Sequence, residues 1–241
     1  MLRISSARLN GLPFQLNSAQ SAFTWTVSRL TGKVPWRFNF TGNGVNRDLT
    51  EQVDRIWFMP YTQTVLEVRD SIIDTFREIY PWFEQSADAL GYKPADKGWT
   101  IAEILEHITL TSHFLLIVAT NGCAKALKRA QSQAIDDSES DLSKLTVIGT
   151  RGTFTWIRPE HMEPKGKALS EVLTTMRAQQ EQCVQLLEKL KNGEGSLFKV
   201  TMSVNKLGRI DLYQWIYFIA QHAKRHIGQM QSNLDEWQHR G

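Results

Sequence analysis

A chain of 241 residues can form one large hydrophobic core, or one core with an extension. Hydrophobic residues make up 41% and charged residues 22%, which is ordinary for a soluble globular protein. The net charge of +3 is too small to indicate nucleic-acid binding, and no apolar run approaches the roughly 18 residues of a membrane-spanning helix. Cys123 and Cys183 make no disulfide framework, and no signal peptide is evident. These features predict a cytoplasmic protein.

The charges divide the chain into two parts. All 25 acidic residues lie at or after Asp48. Six basic residues precede it: Arg3, Arg8, Arg29, Lys33, Arg37 and Arg47. Residues 1-58 also lack a sustained helical or strand period. We expect residues 1-58 to be an irregular or disordered N-terminal extension and residues 59-241 to be the main domain.

Three interpretations of residues 1-58 stay open. The segment is a loosely docked arm with strand-like patches such as Phe23–Val27, or an organellar leader, since such leaders contain Arg and Ser and little acid. The third interpretation is a wrong start, with Met59 the true initiator. We favour it because the periodic pattern begins almost at Met59. Mass spectrometry that detects a natural N-terminal peptide upstream of Met59 would exclude it.

Apolar residues that recur about every 3.6 positions predict four amphipathic helices in residues 59-241. Pro81 kinks or ends the first helix, and Gly just beyond Leu190 ends the third. The second and fourth begin at capping boxes, which satisfy free amide groups in the first turn. The predicted helices are 61–80, 100 to about 129, 168–190, and the segment that begins at Asp211. An all-α fold, a four-helix bundle, follows.

Residues 131–167 form a long connection between the second and third helices. The connection is polar at first (136–141) and then contains aromatic residues and prolines, among them Phe154 and Trp156. A connection this long is unusual in a compact domain unless it is functional or crosses the fold. It predicts a long crossover, which lets the second and third helices run parallel.

The fourth helix carries two histidines on its apolar face. His222 and His226 are four residues apart, so a helix presents them one above the other. Buried imidazoles need polar partners, and a metal ion would satisfy both rings. A pair at this spacing also occurs as ordinary core or surface histidines. A metal site and a satisfied core pair both remain open from the pair alone.

A catalytic metal site usually has three protein ligands. In the second helix, His107 lies on the shoulder of the buried stripe, and His113 lies further round toward solvent. His161 is in the connection and His239 in the tail. His107 is therefore the histidine placed to meet His222 and His226 inside a bundle.

Two segments resemble the signature helices of the DinB-like superfamily, which includes YfiT-type and bacillithiol-transferase-type members. They are GWTIAEILEHI at 98–108 and DLYQWIYFIAQHAKRHIGQ at 211–229, and the resemblance covers roughly residues 59–238. It implies a four-helix bundle with a long crossover between helices 2 and 3. It also implies one divalent transition metal, zinc or nickel, held by His107, His222 and His226.

The resemblance further implies a metal-dependent transferase that adds a low-molecular-weight thiol to a small electrophile in detoxification or stress response. In that interpretation Arg225, Gln229 or residues of the connection hold the cosubstrate. Glu103, one turn before His107, is a candidate to orient the His107 ring, although its place in the capping box explains it equally. We expect no nucleic-acid or membrane partner, and a homodimer. The catalytic residues are unknown at this stage.

Two other functions stay open. A metal-dependent hydrolase would need a general base near the metal, and no glutamate stands between His222 and His226 as in an HExxH protease. The other is a non-catalytic metal-binding stress protein.

Overall fold

A computed structural model describes residues 14–18, 21–28, 37–41, 61–135, 139–152 and 159–240. The chain divides into two compact units, Met1–Phe58 and Met59–Gly241. The described residues are mostly helical, which confirms the predicted predominance of α-helix. Residues 136–138 of the connection, and 153–158 with Phe154 and Trp156, lie outside the described residues.

The described part of the first unit is a three-stranded antiparallel sheet, where the sequence suggested an irregular segment. Its strands are β1 (Phe14–Ser18), β2 (Ser21–Ser28) and β3 (Arg37–Thr41), in the order β1-β2-β3. Val27 pairs with Phe38, and Trp25 pairs with Phe14 on one side and Phe40 on the other. Alternate apolar residues in short segments are typical of strands. Whether Met59 is the true start stays a prediction.

The described residues of the second unit contain five α-helices. They are α1 (Thr62–Ile79), α2 (Ala87–Leu90), α3 (Ile101–Ala130), α4 (Leu169–Lys189) and α5 (Leu212–Gln238). Short 3-10 turns lie at Tyr80–Glu84, Ser143–Gly149, Glu160–Met162, Glu194–Leu197 and Val204–Lys206. Both predicted capping boxes are present, at Thr100 with Glu103 and at Asp211 with Gln214.

Each of the four long helices packs against two others. Helix α5 packs against α1 and α3, and α4 packs against the same two helices. The 3-10 segment Ser143–Gly149 covers a further side of α5. Every residue from Leu212 to Ala223 is therefore buried, which makes the first half of α5 the centre of the core.

Helix α3 is the one described helix long and apolar enough to cross a membrane, with a mean hydropathy of 1.5 over its best window. However, 61% of that window is buried inside the protein. Core helices of soluble proteins pass the same test, so this is weak evidence for a span. The sequence of α3 contains no uninterrupted apolar run of spanning length, because polar residues such as Thr109 and Ser112 interrupt it. Both of these residues are buried.

A β-hairpin that the sequence analysis missed leads into α5. Strands β4 (Lys199–Met202) and β5 (Gly208–Asp211) pair antiparallel, with Val200 opposite Ile210. Asn205 and Lys206, in the connection between them, have positive φ angles of 47° and 56°. The hairpin ends at Asp211, so it delivers the chain to the capping box that starts α5.

Helices α3 and α5 approach closely at Gly122. A Cβ atom on Gly122 would lie 2.6 Å from Leu212 Cδ2 and 2.9 Å from Phe198 Cδ1. We predict that Gly122→Ala destabilises the fold by about 1–3 kcal/mol, because Leu212 is fully buried and cannot move aside. Helix propensity alone predicts the opposite sign, a gain of roughly 0.5–1 kcal/mol. Urea denaturation measures the difference.

Gly228 offers the matched control. It is an exposed glycine of α5, and a Cβ atom there would meet no heavy atom within 4 Å. Gly228→Ala should stabilise the protein by roughly 0.5–1 kcal/mol. If Gly122→Ala stabilised the protein equally, the close approach of α3 to Leu212 would be wrong.

Candidate metal centre

Helix α3 positions His107 through a well-defined first turn. Thr100 Oγ1 accepts the amide hydrogen of Glu103 at 3.1 Å, and the Glu103 carboxylate accepts that of Thr100 at 2.7 Å. This capping box fixes where α3 begins. Two turns later His107 is only 4% exposed, and its ring centroid lies 4.4 Å from that of Trp99.

Helix α5 positions the other two histidines. The capping box at Asp211 starts this helix, and His222 and His226 are 2% and 8% exposed. Their Nε2 atoms lie 3.1 Å apart. As the four-residue spacing predicts, the two rings stand one above the other on the face of α5 that points into the core.

The packing of α3 on α5 brings the three histidines together. The centroid of the His107 ring lies 5.3 Å from that of His222 and 4.9 Å from that of His226. One ring nitrogen from each residue lies within 4.8 Å of the other two, so the group could hold a metal ion. His113, His161 and His239 are exposed and lie outside this group.

Carbonyl oxygens set the orientation of two rings. His107 Nδ1 lies 2.8 Å from the backbone oxygen of Met162, and His226 Nδ1 lies 3.0 Å from the side-chain oxygen of Gln229. A carbonyl oxygen only accepts, so each Nδ1 carries the hydrogen and donates it. In a neutral ring Nε2 then carries the lone pair. Nε2, which in His107 also lies 3.4 Å from Thr111 Oγ1, is then the ring atom that could bind a metal.

The electrostatics keep His222 neutral. Burial is the main cause, and electrostatic interaction with His226, His107 and Arg225 adds to it; together they hold the pKa of His222 well below its usual value of 6.5. A metal binds the neutral imidazole, so this environment favours ligation near neutral pH. Nitrogen donors from imidazole suit zinc, copper, iron and nickel, and the donor set therefore fits a divalent transition metal.

The three candidates for a supporting role differ in their contacts. Gln229 contacts His226 directly, as described above. Glu103 accepts hydrogen bonds from Thr100 and from Lys93 Nζ at 2.9 Å, whereas the Met162 carbonyl meets the ring that Glu103 was a candidate to orient. Arg225 donates to the backbone oxygen of Thr150 at 2.6 Å.

Two parts of the site have no clear signal in the sequence. One is the Met162 carbonyl, because any residue of the connection offers a backbone oxygen. The other is Glu106, a carboxylate next to His107 that is only 2% exposed and accepts three backbone hydrogen bonds from residues 165–167. Leu105 and His107 lie on or beside the buried stripe, and Glu106 stands between them. A charged residue at that position was the one feature of the sequence that indicated a buried carboxylate.

Comparison with known proteins finds a matching protein family and a similar bacterial protein. The DinB superfamily profile matches residues 67–230, which include all three clustered histidines. The uncharacterized protein YuaE of Bacillus subtilis (strain 168) is 24% identical over 145 residues, covering 60% of this chain and 83% of YuaE. No solved structure matches the chain.

The buried histidines predict a pH-dependent stability of the metal-free protein. Below about pH 6.5 the unfolded chain protonates His222 and the folded chain does not, so stability falls as the pH falls. One proton contributes at most about 1.4 kcal/mol per pH unit. Above this range the His222 contribution is constant. Urea denaturation from about pH 5 to pH 8 measures the slope.

In the same experiment His222→Gln should flatten the acid side of the profile. His113→Gln is the control, because His113 is exposed and should keep the wild-type slope. A wild-type slope in His222→Gln would mean that His222 does not resist protonation in the fold.

Proposed function

The chain belongs to the DinB superfamily, and we propose that His107, His222 and His226 bind one divalent transition metal, zinc or nickel, in a thiol S-transferase. The observation that carries the metal site is the convergence of three buried imidazoles within 4.8 Å of one another. The carbonyl partners of His107 and His226 hold the hydrogen on Nδ1, so Nε2 would be the ring atom that binds the ion. Thiol transfer rests on the resemblance to bacillithiol-transferase-type members.

We also infer that the second unit is a four-helix bundle with a long crossover. The long helices α1, α3, α4 and α5 would be its members, since each packs against two others. The crossover would be the connection between α3 and α4. Cytoplasmic location, a homodimer, and the absence of nucleic-acid and membrane partners belong to the same proposal.

A bound divalent ion would hold a low-molecular-weight thiol as its thiolate. The protein itself would orient the rings and limit the access of water. His107 and His226 keep their rings in place through Met162 and Gln229, and burial of the three rings limits water around them. In such a transfer the sulfur would form a new bond to the electrophilic carbon, the leaving group would depart with its electron pair, and the thiol proton would pass to solvent.

Arg225 is the residue best placed to hold an anionic cosubstrate. The positive charge of Arg225 helps to lower the pKa of His222. The pKa of Arg225 is itself lowered, mainly by burial and then by the charge of Arg151. Arg151 itself donates a hydrogen bond to Ser232 Oγ. Arg225, with Arg151 near it, would add a positive potential next to His222, which would favour thiols that carry carboxylates. Gln229 is engaged with His226 and therefore supports the ring.

The hydrolase alternative finds no free general base in Glu103 or Glu106, the two carboxylates of α3 within about one turn of His107. Glu106 accepts three backbone hydrogen bonds, and Glu103 closes the capping box and binds Lys93. A general base must reach the attacking water, and both groups are committed elsewhere. A non-catalytic metal-binding protein shares the metal site and is separated by the assays below.

Metal binding is the first prediction of this proposal. The wild-type protein should bind one equivalent of Zn²⁺ or Ni²⁺ and unfold at a higher temperature with the metal, because only the folded state brings the three ligands together. His107→Ala and His222→Ala should lose both effects, and His113→Ala should keep them, since His113 is exposed. If His107→Ala and His222→Ala fold and keep the metal at wild-type affinity, the site is wrong.

Thiol transfer is the second prediction of this proposal. Metal-loaded protein with bacillithiol, mycothiol or glutathione should conjugate monochlorobimane, where sulfur displaces chloride and fluorescence rises. Metal removal should abolish the rate. If the protein binds metal and conjugates none of the three thiols, the transferase proposal fails. Hydrolysis of p-nitrophenyl acetate without thiol would then favour the hydrolase, and no turnover in either assay would favour the non-catalytic protein.

A further inference from the structure

Glu106 is a buried carboxylate that the proposed chemistry does not use. It lies in α3 directly before His107 and is 2% exposed. Glutamate is almost never buried at this level unless its charge is paired or hydrogen-bonded. Glu106 therefore needs strong partners inside the fold.

Backbone amides supply those partners. Glu106 Oε1 accepts the N–H of Lys165 at 3.0 Å, and Oε2 accepts those of Gly166 at 2.8 Å and Lys167 at 3.1 Å. Gly166 has a positive φ of 81°, a conformation that favours glycine and helps successive N–H groups point to one side. Hydrogen bonds to an ionised carboxylate are roughly twice as strong as neutral ones. Residues 165–167 are thus firmly tied to α3.

The same stretch of chain carries the oxygen that orients His107. Met162 lies three residues before Lys165, and its backbone oxygen accepts the Nδ1 hydrogen of His107 at 2.8 Å. Residues 162–167 therefore contact two successive residues of α3, one through the Glu106 carboxylate and one through the His107 ring. The first contact limits how far the second can shift.

We infer that Glu106 is a positioning residue for the metal site: by holding residues 165–167 it keeps the Met162 oxygen on His107 Nδ1. This places the ring hydrogen on Nδ1 and the lone pair on Nε2. The inference concerns the site of the proposed function, but the orientation of His107 is a property of the metal-free chain. It can therefore be tested whether or not a metal binds.

The decisive substitution is Glu106→Gln, which keeps the side-chain size. Glutamine offers a single acceptor oxygen, and its NH₂ group would face backbone N–H donors. The segment 162–167 should loosen, and the Met162 oxygen should leave His107 for part of the time. Glu181→Gln is the matched control, because it removes an exposed carboxylate of α4 that accepts a hydrogen bond from Gln185 of the same helix.

Long-range ¹H–¹⁵N NMR of the metal-free protein reads the histidine tautomer directly. Wild type and Glu181→Gln should show His107 with its hydrogen on Nδ1, and Glu106→Gln should show a mixture of the two tautomers. A role in stability alone would lower the unfolding temperature of Glu106→Gln and leave the tautomer unchanged. An unchanged tautomer in a folded Glu106→Gln protein would overturn the inference.

Cobalt binding gives the second readout. Glu106→Gln should bind Co²⁺ about 10- to 100-fold more weakly than wild type and show altered visible absorption bands, as loss of a group that supports a metal ligand usually does. Unchanged affinity and bands in Glu106→Gln would contradict the inference. If wild type itself binds no Co²⁺, the proposed function fails, and the tautomer measurement still decides the role of Glu106.

Gly166→Ala keeps the test valid if Glu106→Gln does not fold. A Cβ atom on Gly166 would meet no heavy atom within 4 Å, so the change acts only through the strained positive φ. It should shift the His107 tautomer in the same direction by a smaller amount. A folded Gly166→Ala protein with the wild-type tautomer would count against the inference.

Discussion

The site depends on one constraint, the cost of placing three imidazole rings in a hydrophobic core. A buried polar group without a partner costs roughly 1–3 kcal/mol on mutational scales. On the outer side of the His107 and His226 rings, the carbonyl oxygens of Met162 and Gln229 accept hydrogen bonds, which offsets this cost. On the inner side the ring nitrogens face one another, and the Nε2 atoms of His222 and His226 lie 3.1 Å apart.

The architecture supplies the rigidity that such a site needs. Helix α5 is buried on all sides over its first twelve residues because α1, α3 and the Ser143–Gly149 segment enclose it. Helix α3 delivers His107 from the facing side, and both helices start at capping boxes that fix their rotation and register. The connection after α3 then supplies the Met162 oxygen. Helices place the three histidines, and the connection orients one of them.

Periodicity was sufficient to predict the helices and to group His107 with His222 and His226 while leaving His113 outside. These are local properties, since a helix converts sequence spacing into a direction. Strands β1 and β3 and the β4–β5 hairpin were missed, because strands of four or five residues give a weak pattern, whereas the strand-like patch Phe23–Val27 lies within β2. The Met162 oxygen and the Glu106 contacts were missed for another reason. They join residues about 55 to 61 positions apart through backbone atoms, which every residue possesses.

X-ray absorption spectroscopy at the metal edge tests the central claim most directly. The protein loaded with one equivalent of Zn²⁺ should show nitrogen ligands near 2.0–2.1 Å together with the outer-shell scattering of three imidazole rings. His107→Ala should lose one ring from that signal if it still holds the ion. A wild-type spectrum with oxygen or sulfur ligands and no imidazole scattering would contradict a metal centre built from His107, His222 and His226.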